Sequence, residues 1–193
     1  MSINGFRPDL AAIIDIVLPK TRVLDLGCGD GELLAKLVVA KQVTARGVEL
    51  SETLTRAAIA RGLSVRQGNI EEGLADYPSA AFDYVVLSQT IAFLNRPEPV
   101  AREMLRVGKC AIISFDNAGY WRTRMRALLG EGFGESIISG EPRERAITLQ
   151  QFDVFAQQIG AQVEQRTLVR NKRRVLYLPN LMTQTAVYVL KRA

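Results

Sequence analysis

The sequence predicts an α/β fold, a doubly wound and mostly parallel sheet of seven strands, on three observations. An apolar run, Val23 to Leu26, is closed by three glycines at alternate positions (Gly27, Gly29 and Gly31) and leads straight into the helical pattern Glu32 to Leu37. Strand-like and helix-like patterns then alternate as far as Phe115, as successive β–α–β units do. Two further β-rich runs, Val163 to Val169 and Thr185 to Leu190, supply the sixth and seventh strands. At 193 residues the chain is expected to form one domain over residues 1–193. That length is enough to bury roughly 70% of the unfolded surface.

Each element has a local reason. Pro8-Asp9-Leu10 opens a short amphipathic helix with Leu10, Ile13, Ile14 and Val17 on one face. It ends at Pro19 and is expected to pack over the ligand-binding edge of the sheet. Val43 to Val48 is the second strand, closed by Glu49, and Ser51 caps a helix that stops at Gly62. Ser64 to Gly68 is the third strand and Phe82 to Leu87 the fourth. Pro97 to Val107 is a helix with Val100, Met104 and Val107 inward, and Cys110 to Phe115 the fifth strand. Residues 116–147 break this rhythm and are expected to form a helical lid or partner segment. There Trp121, Met125, Leu128 and Leu129 make an apolar stripe among Arg122, Arg124 and Arg126, followed by the glycine-rich stretch Gly130 to Gly134. The stripe reads either as ordinary core or as a working surface. Thr148 and Gln151 then form a capping box for a helix ending at Gly160.

The glycine turn carries the chemistry. Glycine is needed where the backbone takes a positive φ or a ligand must touch the main chain, and a helix N-terminus offers free N–H donors and partial positive charge. The spacing G-x-G-x-G differs from the G-x-G-x-x-G of dinucleotide sites, and Asp25 ahead of it would repel a pyrophosphate while suiting an ammonium group. Glu49 lies 18 positions after Gly31, where an acid ending the second strand can accept both hydroxyls of a ribose. Asp25, Gly27, Cys28, Gly29, Gly31, Glu49, Leu50, Asn69, Ile70 and Gln89 are therefore the candidate cofactor contacts, all near the carboxyl ends of strands. Asn69 and Ile70 read equally as an adenine-binding pair or as a turn asparagine beside a core isoleucine.

This first motif resembles that of the class I S-adenosylmethionine-dependent methyltransferases. Further blocks narrow the likeness: Arg7-Pro8-Asp9-Leu10, Arg61-Gly62-Leu63, Gly73-Leu74, Phe82 to Thr90, Glu103 to Val107 and Trp121-Arg122 with Arg124. Together they resemble the methionine-biosynthesis MetW family over roughly residues 6–130. The resemblance implies a Rossmann-like fold ending in an antiparallel hairpin, with S-adenosylmethionine or S-adenosylhomocysteine as cofactor. It also implies work beside a homoserine O-acyltransferase in methionine synthesis. The chain departs from that family's usual pattern at Asn69, at Asp116 and after Gly130, around Gly140 to Arg145.

Composition bounds the rest. The chain has no histidine, which excludes Ser-His and Cys-His catalysis and histidine-ligated metals, and no metal is expected. Two cysteines without a pairing framework favour a reducing, cytoplasmic setting. No apolar run approaches the ~18 residues that span a bilayer, so no membrane partner is expected. Net charge is +5, concentrated in Arg166, Arg170, Lys172, Arg173 and Arg174. That cluster reads as a solvated hairpin rim or an acidic partner's contact, and no nucleic acid is expected, for want of a stacking platform beyond Tyr177. The fourth strand ends in Ser88-Gln89-Thr90 rather than the N/D-P-P-Y-type turn of amide and base N-methyltransferases. Asp116, Tyr120 and Gln89 are possible pocket groups, but none forms a recognisable acid–base pair, and no catalytic residue is assigned. Two functions stay open: a cofactor-binding accessory protein, or an active methyltransferase on a small-molecule acceptor.

Overall fold

A strand buried on both faces must be apolar throughout, and Val23-Leu24-Asp25-Leu26 meets that demand except at the acid one residue from its end. In the computed structural model, which describes residues 7–130, 145–171 and 173–192, this run is β1 (Arg22–Leu26). Helix α1 (Pro8–Ile16) precedes it, and α2 (Glu32–Lys41), β2 (Thr44–Glu49), α3 (Glu52–Ala60), β3 (Val65–Gln67) and β4 (Phe82–Ser88) follow. The chain continues through α4 (Pro97–Val107), β5 (Gly108–Asp116), α5 (Trp121–Leu128), α6 (Leu149–Gln158) and β6 (Ala161–Arg170). It closes with β7 (Arg173–Arg174), α7 (Pro179–Met182) and β8 (Thr185–Arg192). Single 3-10 turns cover Ile70–Glu72 and Ile91–Phe93.

The strands form one sheet in the order β3-β2-β1-β4-β5-β8-β6-β7. The first five strands pair in parallel, and β8 runs antiparallel between β5 and β6. The strand order reverses between β1 and β4, so the crevice where ligands bind in such sheets opens at the carboxyl ends of those two strands. The seven expected strands are all present. An eighth is added because the chain turns back at Asn171 and pairs Arg173 and Arg174 with the end of β6.

Alternation along the strands splits the core in two. Leu24, Leu26, Val85, Leu87, Ile113 and Tyr188 face α4 and α6 on one side. Val23, Tyr84, Val86, Ile112 and Val187 face α1 and α2 on the other. Helix α1 rests on β8, β6 and α2, so its body does not lie over the ligand edge; only its N-terminal residues reach the ends of β4 and β5. Helix α5 buries none of its residues, and Met125, Leu128 and Leu129 are exposed, which removes the core reading of that stripe. The stretch from Glu131 to Glu144, most of the expected glycine-rich segment included, lies outside the described residues. Among the described residues no helix is long and apolar enough to cross a membrane.

Helix α6 has the complete capping box, with Thr148 Oγ1 accepting from Gln151 N at 3.2 Å and Gln151 Oε1 accepting from Thr148 N at 2.9 Å. Phe152 on this helix packs against Phe115 and Tyr188, with ring centroids 4.7 and 4.5 Å away. Phe152→Ala should cost about 3–5 kcal/mol in chemical denaturation and Thr148→Ala about 1 kcal/mol. Equal costs would mean that α6 is held by its cap rather than by this aromatic cluster.

Candidate functional site

The glycine turn is shaped by the end of β2. Gly27 N and Cys28 N both donate to the Val48 carbonyl, at 2.8 and 3.2 Å. The Glu49 carboxylate then accepts Gly29 N through Oε2 at 2.8 Å and Ser51 N through Oε1 at 2.9 Å. One side chain thus ties the turn to the start of α3. Two glycines are demanded for different reasons. Gly31 has φ +80°, and a Cβ there would come 2.3 Å from Leu63 Cδ1. Gly29 has φ +59°, and a Cβ there would meet nothing within 4 Å, so its open side faces free space. Cys28 is buried, and burial pushes its thiol up to about 12, helped by the Asp25 and Glu49 carboxylates. It serves as packing, not as a nucleophile.

Asp25, the penultimate residue of β1, has 2% of its surface exposed, and among the described residues its Oδ1 has no hydrogen-bond partner. Burial pushes its carboxyl up to about 7; Arg7 opposes that shift, while Asp9 and Glu49 add to it. Asp9 is fully buried beside it. Its Oδ2 accepts from Ser114 Oγ at 2.9 Å, from Ser88 Oγ at 2.5 Å and from Arg7 Nη2 at 3.0 Å, while its Oδ1 is also without a partner. Arg7 also bonds Ser88 Oγ. Three carboxylates therefore gather at the carboxyl ends of β1, β2 and β4 against one guanidinium, an arrangement that favours a ligand carrying positive charge. Among the described residues no group of three or more acids, cysteines or histidines is placed as a metal cage.

The other candidates divide. Leu50, 66% exposed just past Glu49, offers an open apolar side chain. Asn69 caps the 3-10 turn, its Oδ1 accepting from Glu71 N at 3.0 Å, and Ile70 is buried in the core. The Asn69 cap engages only its Oδ1, and Leu50 is the apolar side chain with the larger open surface. Gln89 has a positive φ of +56°, and its Nε2 donates to Asp116 Oδ1 at 3.4 Å. Asp116 Oδ1 also accepts from Thr185 Oγ1 at 2.7 Å. Arg7, Asp9, Ser88 and Ser114 were not among the sequence candidates. The available signal was Asp9 itself, four residues before Ile13 and hence on the buried stripe of α1.

The raised Asp25 fixes a sign for pH dependence. Between about pH 4 and 7 the unfolded chain has lost this proton while the folded protein keeps it, so stability falls as pH rises through that window. Asp25→Asn mimics the protonated acid. At about pH 8 it should be more stable than the parent by up to ~4 kcal/mol in urea denaturation, the gap closing toward pH 4. A gap that does not change with pH would contradict this.

The sequence matches the family described as methionine biosynthesis protein MetW over residues 7–190. The family pattern thus continues well past residue 130, beyond the blocks that run from Arg7 to Arg124. The chain is 35% identical over 124 residues to the bifunctional methionine biosynthesis protein MetXA/MetW of Rhodopirellula baltica. That match covers 60% of this chain but only 20% of the relative, so the chain spans about a fifth of that protein's length. Among solved structures, a methyltransferase from Archaeoglobus fulgidus, described as S-adenosylmethionine-dependent, superposes with a TM-score of 0.73 at 15% identity, covering 95% of this chain and 91% of that one. A possible histamine N-methyltransferase from Thermotoga maritima gives 0.71 at 21% identity, covering 96% and 88%. At such identities the likeness is one of fold. The chain belongs to the MetW family of methionine biosynthesis proteins and is built on the class I methyltransferase fold.

Proposed function

We propose that the chain binds S-adenosylmethionine or S-adenosylhomocysteine at the glycine turn and acts as an accessory protein to a homoserine O-acyltransferase in methionine biosynthesis. The observation that carries the cofactor reading is the buried Asp25 carboxylate, whose Oδ1 has no hydrogen-bond partner among the described residues, under a glycine turn whose Gly29 side is open. An amino-acid ammonium group supplies the positive charge that Asp25 lacks. Glu49 uses one lone pair of each oxygen on backbone N–H groups and keeps the others for ribose hydroxyls. Exposed Leu50 is suited to lie against the adenine. When bound, S-adenosylmethionine supplies a transferable methyl group.

Two observations support an accessory role over catalysis. The groups best placed to serve an acceptor, Gln89 and Asp116, are bonded to each other and to Thr185, which suits positioning rather than proton transfer. The Rhodopirellula baltica relative joins MetXA and MetW in one bifunctional protein. Such a fusion supports a working association when the two are separate chains.

Calorimetry with S-adenosylhomocysteine should show binding in the micromolar range. Gly29→Val, which fills the open side against a positive φ, should abolish it. Glu49→Gln should weaken it by ~2 kcal/mol. Absence of heat with either cofactor at high micromolar concentration rejects the site. In a coupled assay, the homoserine O-acyltransferase of the same cell should gain activity when the chain is added; unchanged activity rejects the accessory role.

A further inference from the structure

Helix α5 and the connection from β6 to β8 meet at one place. Asn117 Nδ2 donates to the carbonyls of Asn180 and Thr183, at 2.9 and 3.0 Å. The Arg170 guanidinium lies 6.0 Å from the centre of the Tyr120 ring. Two open grooves result. One, of about 560 Å3, runs between Trp121, Met125, Leu129 and Asn171. The other, of about 510 Å3, runs from Asn171 past Arg173 and Arg174 to Tyr177 and Leu178. Asn171 belongs to both, so the grooves form one continuous surface.

Apart from Asp116, which lines the first groove with its carboxylate bonded to Thr185 and Gln89, that surface is apolar and positively charged. Leu128, Leu129, Leu176, Tyr177 and Leu178 are 83, 77, 80, 83 and 67% exposed, far more apolar exposure than scattered surface residues give. Among the described residues no carboxylate pairs with Arg122, Arg124, Arg170, Arg173 or Arg174. The sequence explains why: α5 has no acid, and no Asp or Glu follows Glu164 anywhere in the chain. Arginine, tryptophan and tyrosine around aliphatic residues is the composition of protein-binding hot spots.

We infer that this joint face of α5 and residues 170–182 is the docking surface for a protein partner that presents an acidic rim around an apolar projection. The inference rests on the accessory role proposed above and identifies the acyltransferase's contact face on this chain. Charge complementarity selects an acidic occupant, and a second copy meeting the face symmetrically would set arginine against arginine. Nucleic acid would use the arginines but leave the leucines without reward. A bilayer needs a protruding apolar crest, whereas Leu129, Leu176, Tyr177 and Leu178 line the two grooves. The face also lies at the end of the sheet that holds the glycine turn, because Asp116 of β5 pairs with Thr185 of β8 and bonds Gln89. A partner seated there contacts the cofactor end of the fold.

The test uses the intact chain and the homoserine O-acyltransferase of the same cell in biolayer interferometry at several salt concentrations. Three double variants are compared, all exposed: Arg173→Glu with Arg174→Glu, Leu176→Ser with Tyr177→Ser, and the control Lys36→Glu with Arg56→Glu on the opposite part of the sheet. S-adenosylhomocysteine affinity should be unchanged in all three, and melting temperature in the two surface variants; the control loses a little stability because each new glutamate faces an acid four residues away. Acyltransferase affinity should fall about 100-fold in the arginine variant, with a flatter salt dependence, about 10-fold in the apolar variant, and not at all in the control. Parent-like binding by both surface variants overturns the inference and leaves the accessory role standing. No binding by the unaltered chain overturns both. Tighter binding of duplex DNA or phosphatidylserine vesicles than of the acyltransferase, lost in the arginine variant, overturns the choice of a protein occupant. Self-association lost in the same variant would assign the face to a second copy and likewise overturn it.

Discussion

The carboxylate of Glu49 governs the working end of this molecule. By accepting Gly29 N and Ser51 N it joins the glycine turn after β1 to the start of α3. Two helices and two strands therefore share one short polar link. The parallel register makes the link possible, since Asp25 sits opposite Gly47 and Leu26 opposite Val48. Carboxyl ends that run in step bring their terminal acids together. The consequence is electrostatic: Asp9, Asp25 and Glu49 crowd a site with Arg7 as the nearby cation, and Asp25 holds its proton to about pH 7. A protein keeps such an unfavourable cluster buried only where a large core sustains it, and cores on both faces of the sheet do so here.

The reversed strand β8 extends this end of the molecule. A parallel strand beside β5 would have been entered from the opposite end of the strands. Because β8 is antiparallel, the segment ahead of it, from Pro179 to Gln184, arrives beside Asp116 and Asn117. The polar chain Gln89–Asp116–Thr185 then spans from the end of the sheet that carries the glycine turn to the exposed face formed with α5. The glycine turn and the exposed face beside α5 are neighbours for a reason of topology.

Much of this was legible in the residues. The glycine turn, the strand acids, the capping box of α6 and the span Pro97–Val107 rest on local chemistry, and local chemistry is written in order along the chain. What could not be read depends on partners distant in sequence. The helical spacing of Trp121, Met125 and Leu128 is the same whether the helix meets the core or solvent, and only the packing leaves it outside. Ile70 and Leu50 are both apolar residues near strand ends, yet one is buried in the core and the other is exposed. The role of Asp9 depends on Ser88 and Ser114, which lie 79 and 105 positions away. The two-residue strand Arg173–Arg174 exists only because β6 is there to receive it.

The central claim is that the carboxyl ends of β1 and β2 hold S-adenosylmethionine or its demethylated product. Amide chemical-shift mapping of the isotope-labelled chain, titrated with S-adenosylhomocysteine, tests it most directly. The account predicts saturable shifts concentrated at Gly27, Gly29, Gly31 and Leu50, with Arg173 and Arg174 unmoved. Shifts centred elsewhere, or none at saturating concentration, would contradict it.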